Sequence, residues 1–267
     1  MSKSKGNVLY ADTLVDFLRR RRCALLLCFM RCHFENDGVI SWELMVERMN
    51  SDLANILGNL VNRTISMTNK YFGGVVADKS VTAPEDEDLK AVVLEAVKKA
   101  DAKMDQLRVA DAITEIFNIF RRSNKYIDET APWVLAKDEE KKDRLSTVLY
   151  NLTEAITIGA SLLESFMPET SAKILAQLNT AKRSLDELQT FGLYPSGNQV
   201  TDKPEILFAR MDVKEVLEKA EALQAAQAAE AAKESGADAE NAEEEDGIDL
   251  EPKAESPMMT LQSFSSR

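Results

Sequence analysis

The feature that most constrains this chain is a succession of long apolar stripes at helical spacing, each cut off by a glycine or proline. Between residues 41 and 72, Trp42, Met45, Met49, Leu53, Ile56, Leu60, Thr64, Met67 and Tyr71 recur three or four apart, which predicts one long helix. Gly73-Gly74 stops it, as left-handed glycine caps do. Thr82-Ala83-Pro84-Glu85 reads as a capping-box start with proline in the first turn. The helix it opens carries Leu89, Val92, Val93, Ala96, Val97, Ala100 and Met104 on one face. Ala110 to Ile127 repeats the pattern through Ile113, Ile116, Phe117 and Phe120, until Pro132 breaks it. Leu145 to Leu163 is a further amphipathic stretch with Val148, Leu149, Leu152 and Ile156, and Pro168 ends it and starts a shorter helix to Leu178. About five helices on short connections predict an all-α antiparallel bundle. From Phe191 to Asp212 the chain turns irregular, and residues 213–233 are rich in Ala and Glu and helix-prone. Residues 234–267 are acidic, of low complexity, and expected to be disordered.

Charge narrows the functional classes less than its total suggests. The chain carries a net −12, but residues 213–267 hold 14 acidic against 5 basic side chains. Nine of the twelve negative charges therefore sit in the tail, and a basic surface on the nearly balanced body stays open. No run of 18 apolar residues exists and the N-terminus lacks a signal-peptide pattern, so a cytoplasmic protein without membrane contact is expected.

Three groups of residues are candidates for chemistry. Met1-Ser2-Lys3-Ser4-Lys5-Gly6-Asn7 offers lysines on a small, flexible loop that can reach phosphate oxygens; the plain alternative is a solvated terminus. Asn59 and Arg63 stand four apart and so share one face of the first helix, with Asn55 and Ser66 extending the polar stripe. That stripe reads either as the wet side of an amphipathic helix or as donors and acceptors for unstacked RNA bases. Trp133 follows a proline turn, where an indole serves as a boundary packing residue or as a stacking platform.

The N-terminal string resembles the KMSKS signature of class I aminoacyl-tRNA synthetases, continued as SKGN and starting one residue inside the motif. Asn50-Ser51-Asp52-Leu53-Ala54-Asn55 with Leu57-Gly58-Asn59-Leu60-Val61-Asn62-Arg63 is similar to the first anticodon-domain helix of bacterial methionyl-tRNA synthetases. Asn124-Lys125-Tyr126-Ile127 with Glu129-Thr130-Ala131-Pro132-Trp133 resembles that family's anticodon-reading corner. Phe166 to Thr170, Lys203 to Glu205, and Leu207-Phe208 carry the resemblance to about residue 212, with Ser165, Ile206 and Ala209 standing where the family usually has proline.

The resemblance implies an ATP-dependent methionine–tRNA ligase. In it Met1, Ser2, Lys3 and Ser4 belong to the loop that closes over ATP and its Mg, and Lys3 steadies charge on the phosphates. Asn59, Arg63 and Trp133 fall on the positions that contact the CAU anticodon of methionine tRNA, Trp133 stacking on its first base. The chain has no His-x-Gly-His motif and no βαβ pattern. The expectation is a fragment that supplies anticodon recognition and the KMSKS loop and does not aminoacylate alone. The alternatives are a stand-alone tRNA-binding adaptor or a plain structural helical protein; DNA is not an expected partner.

Residues 18–33 depart from the resemblance. Codons for Arg19 to Leu26 read one nucleotide later can give Gly-Val-Asp-Ala-Val-Arg-Tyr, the family's sequence at that place, so this segment is expected to be translated out of frame until Phe34. It contains Cys23, Cys28, Cys32 and His33, whose spacing lacks CxxC knuckles, and no metal site is expected. A similar shift over Ser256 to Ser263 would remove the family's C-terminal OB-fold extension, which implies a monomer. The expected domains are 1–33 (loop and remnant), 34–190 (anticodon-binding bundle), 191–233 (linker and helix) and 234–267 (tail).

Overall fold

The computed structural model describes residues 41–223 and 225. The loop residues Met1, Ser2, Lys3 and Ser4, the segment 18–33 with its cysteines and His33, and the tail 234–267 lie outside the described residues.

The first helical run is continuous, as its period predicts, but it is not a uniform α-helix. Ser41 Oγ accepts the Leu44 N–H (3.3 Å) and starts α1, Trp42–Arg48. Met49–Gly58 then winds as a π-helix, in which the Asn59 N–H reaches back five residues to the Ala54 carbonyl. Normal winding resumes in α2, Asn59–Phe72, and ends at Gly73 with φ 58°. There the Gly73 and Gly74 amides cover the Asn69 and Thr68 carbonyls at 3.1 and 3.2 Å. The wider π turn shifts the phase of the apolar stripe: Leu57 is fully buried, whereas Ile56, expected on the buried face, is only half-buried.

Helix α3 spans Pro84–Asp105, and its cap corrects the expected one. Thr82 is exposed; the N-cap is Ala83, which has no side-chain acceptor to offer. Only the returning half of a capping box forms, with the Asp86 carboxylate accepting the Ala83 N–H at 2.8 Å. Leu89, Val93, Ala96, Val97 and Ala100 are buried as expected, while Met104 ends exposed. A three-residue turn reverses the chain into α4, Val109–Thr130, which packs antiparallel on α3 and buries Ile113, Ile116, Phe117, Phe120, Tyr126 and Ile127.

Two short helical pieces follow, α5 (Pro132–Leu135) and a 3-10 turn (Glu139–Lys141), before α6, Lys142–Leu163. This helix is not amphipathic as its apolar stripe suggested. It runs through the middle of the bundle with 18 of its 22 residues buried. Its polar side survives burial because Thr153, Thr157 and Ser161 each donate to the carbonyl four residues back, at 2.8 Å. Gly159 faces Phe120 so closely that a Cβ there would lie 2.5 Å from the ring.

Two buried carboxylates tie the layers together. Asp86 is paired with the Arg144 guanidinium by two bonds of 2.8 and 2.9 Å and also accepts the Tyr126 hydroxyl. Burial, ahead of this pairing, raises the Tyr126 hydroxyl pKa above its ordinary value. Glu154, fully buried on α6, holds Arg183 at 2.6 and 2.5 Å and accepts the backbone N–H groups of Gly192, Leu193 and Tyr194. That carboxylate fixes the irregular stretch after α7, Pro168–Gln177. Beyond it, β1 (Val75–Val76) pairs antiparallel with β2 (Asn198–Gln199), Val75 opposite Gln199. The chain then returns along the π segment and becomes helical again at 213–223, where Val216 and Ala220 cover Trp42, Met45 and Val46. Among the described residues no helix is long and apolar enough to cross a membrane.

Candidate nucleic-acid interface

Asn59 is the first residue of α2, directly after the π segment, and is exposed; Arg63 follows one turn later and is half-buried. Their neighbours on the polar stripe are already engaged. Asn55 accepts from Arg210, and Ser66 donates to Asn62 at 3.0 Å. The Asn59 and Arg63 side chains make no hydrogen bond or ion pair among the described residues. A stripe that pattern alone leaves ambiguous is thus divided by the structure into committed and uncommitted groups.

Trp133 sits on the corner between α4 and α5, with 43% of its surface exposed. The corner is built by Ala131, which takes the left-handed conformation at φ 41°, ψ 65°, one that a non-glycine residue rarely adopts. Its N–H closes α4 on the Ile127 carbonyl (3.0 Å), and its own carbonyl accepts the Val134 N–H (2.8 Å) to open α5. Pro132 fixes the first residue of α5 and is buried, so the indole that follows is carried outward on a rigid turn. Below the corner, Arg122 pairs with Asp88 at 2.7 Å and lies 2.9 Å from Glu129 without hydrogen-bond alignment.

Two polar ties set α4 against the first helical run. Arg121 and Arg48 both reach buried Asp52, at 3.2 and 2.9 Å. Asn124 Nδ2 donates to the Ile56 carbonyl of the π segment (2.9 Å) and to the Phe120 carbonyl (3.0 Å). Residue 121 meets 52 and residue 124 meets 56, so the two helices ascend together. From these ties the two run the same way, α2 carrying Asn59 and Arg63 and α4 leading to the Ala131–Trp133 corner.

One part of this surface was not signalled by the sequence. A cleft of about 220 Å³ opens between residues 54–62 and the returning segment 206–210, with Asn59 on its wall. Arg210 closes the far side; its distance along the chain from Asn59 leaves no local pattern that would have marked it. Among the described residues no cluster of His, Cys, Asp and Glu could hold a metal ion.

Comparison with known proteins identifies the family to which this fold belongs. Residues 76–228 match the family model described as the anticodon binding domain of methionyl tRNA ligase. Residues 1–65 match that of class I tRNA synthetases for methionine. The chain is 43% identical over 217 residues to the methionine–tRNA ligase of Clostridium perfringens, covering 81% of this chain and 33% of that protein. It is 46% identical over 219 residues to the ligase of Caldanaerobacter subterraneus, covering 81% and 34%. The Mycobacterium tuberculosis methionyl-tRNA synthetase bound by methionyl-adenylate superimposes with a TM-score of 0.71 at 32% identity, over 78% of this chain and 41% of that one. The chain therefore spans about a third of the length of the ligases it matches. With the family model covering more than half of its residues, the chain belongs to the methionyl-tRNA ligase anticodon-binding family.

Proposed function

We propose that this chain reads the CAU anticodon of methionine tRNA for an ATP-dependent methionine–tRNA ligase. Trp133 stacks on the first anticodon base, and Asn59 and Arg63 hydrogen-bond the neighbouring bases. The observation that carries the reading is that these three side chains, on α2 and α5, which follow the π segment and α4 tied together by Asn124 and Asp52, are left without hydrogen-bond partners among the described residues. Groups so placed suit single-stranded loops, whose splayed bases offer both faces for stacking and edges for hydrogen bonds. Aminoacylation belongs to the whole ligase, where Met1, Ser2, Lys3 and Ser4 would contribute to the loop over ATP and Mg, in the cytoplasm.

The test is a titration of the chain with initiator methionine tRNA and with the same tRNA carrying a changed anticodon, at fixed low salt, beside a Trp133→Ala variant. Loss of one stacked base costs about 1–3 kcal/mol, so the variant is expected to bind several-fold to a hundredfold more weakly and to lose its preference for CAU. Equal binding of both tRNAs by the unaltered chain would refute the proposal.

A further inference from the structure

The corner that carries Trp133 holds a conformation its own residues do not favour. Ala131 sits at φ 41°, ψ 65°, and such backbone persists only where the surroundings over-determine it. Two local bonds contribute: the Ala131 N–H on the Ile127 carbonyl (3.0 Å) and the Thr130 hydroxyl on the Tyr126 carbonyl (2.7 Å). Both belong to the end of α4 and would be lost together if its last turn frayed. That turn carries Asp128 and Glu129 and no basic residue, so the helix dipole repels the charge placed there. A contact from outside the turn has to hold it closed.

Arg122 is placed to supply it. It lies two turns before Glu129 on the same side of α4, and its side chain is 8% exposed. Its Nε donates to Asp88 Oδ2 at 2.7 Å and its Nη2 to the Glu85 carbonyl at 3.5 Å, both in the opening turns of α3. The remaining nitrogen, Nη1, stands 2.9 Å from Glu129 Oε2. It has no hydrogen-bond partner among the described residues, so its contact with Glu129 is one of charge. A buried cation thus ties the end of α4 to the start of α3. Lys125 also reaches Glu129, at 3.4 Å, but it is 70% exposed and water weakens the pair.

We propose that Arg122 is a positioning residue for the Trp133 stacking platform: through Glu129 it holds the last turn of α4 closed and fixes the indole before RNA arrives. It touches no base in this role. An indole already fixed spares the cost of ordering it on binding, worth about two- to tenfold in affinity. The stacking of a base on the indole rests on the anticodon-reading proposal; the immobilisation of the indole by Arg122 does not.

The test uses the full chain carrying Trp42→Phe, so that Trp133 is its one tryptophan, with thermal melts to verify folding. Time-resolved fluorescence anisotropy reads the motion of the indole without RNA. Titration of a dye-labelled anticodon stem-loop of methionine tRNA reads binding. Arg122→Met should give the indole a fast depolarising component and weaken binding about two- to tenfold. Arg122→Lys keeps a cation within reach of Glu129 and should restore the rigid indole, with binding back within about twofold of the unaltered side chain. Glu129→Gln removes the charge from the other partner, at a partly exposed site, and should loosen the indole likewise; it decides the matter if Arg122→Met does not fold. In a Trp133→Ala background, Arg122→Met should add no further loss of binding. An indole as immobile in Arg122→Met and Glu129→Gln as in the unaltered side chains overturns the assignment, and so does a binding loss of equal size with and without Trp133. A Trp133→Ala chain that binds the loop as tightly as the parent overturns the anticodon reading instead, and the motion of the indole then still decides the role of Arg122.

Discussion

Replacing Glu154 with glutamine should unfasten the return path of the chain. The two carboxylate oxygens divide their work: one accepts Arg183 Nη1 and the Gly192 and Leu193 amides, the other Arg183 Nη2 and the Tyr194 amide. A glutamine has the same shape but must place its NH2 on one side, where at least two donors already point. It also leaves the Arg183 guanidinium, with a side chain 7% exposed, without a counter-charge. Breaking a buried pair from one side costs about 3–5 kcal/mol, which for a domain of this size lowers the melting temperature by roughly 6–20 °C. Urea unfolding followed by far-UV circular dichroism measures the loss directly. A Glu154→Met/Arg183→Met double variant should regain only part of it: no charge is then stranded, but the Gly192, Leu193 and Tyr194 amides still lack their acceptor. A single variant that loses less than about 1 kcal/mol would refute the view that this carboxylate organises the segment.

Gly159→Ala should destabilise the bundle by about 1–3 kcal/mol through overpacking, more than alanine returns in helix propensity, because its Cβ meets Phe120, itself edge-on to Phe117. A melting temperature at or above that of the unaltered chain would contradict this. Asn124→Ala frees the Ile56 carbonyl from its tie and should cost about 1–2 kcal/mol of stability, with a reduced preference for CAU over a changed anticodon. If that preference is intact in paired titrations, Asn124 does not position the site. Burial pushes the Tyr150 and Tyr194 hydroxyls up to about 12. A raised folded-state pKa means the stabilising contribution is complete below the unfolded value near 10 and is lost as pH rises toward 12. Tyrosinate absorbance and circular dichroism should therefore change together in that window; tyrosinate appearing near pH 10 in all five tyrosines of an intact fold would refute it.

The helices were legible because their apolar stripes are long and their stops are glycine and proline. What escaped the sequence has particular causes. The π segment uses the same residue types as an α-helix, so the period pointed to Ile56 where Leu57 is buried. The sequence analysis singles out neither Asp86 nor Glu154, since nothing local marks partners 58 and 29 residues away. The all-buried α6 looked amphipathic because its threonines count as polar in any pattern, although each satisfies its hydroxyl on its own helix. The pairing of β1 with β2 involves two residues on each side, too few for alternation to register. Asn59, Arg63 and Trp133 stand out by spacing and turn context, and the resemblance adds their role. Their uncommitted side chains, and the engagement of Asn55 and Ser66, are visible only in three dimensions.

The wide-wound stretch Met49–Gly58 sets the phase of everything that follows it in the first helical run. Its turns hold more residues than ordinary α turns, so the side of α2 that meets the bundle is decided before α2 begins. Asn124, bonded to the Ile56 carbonyl, ties that stretch to α4. Removing one residue while the wide winding persisted would turn every side chain downstream by about 100° about the helix axis. Leu60, Val61 and Ile65 would swing out of the core along with any turn of Asn59 and Arg63. The orientation of the polar stripe is therefore clamped by the core on the opposite side of the same helix, and a length change here unseats the bundle before it can re-aim the stripe.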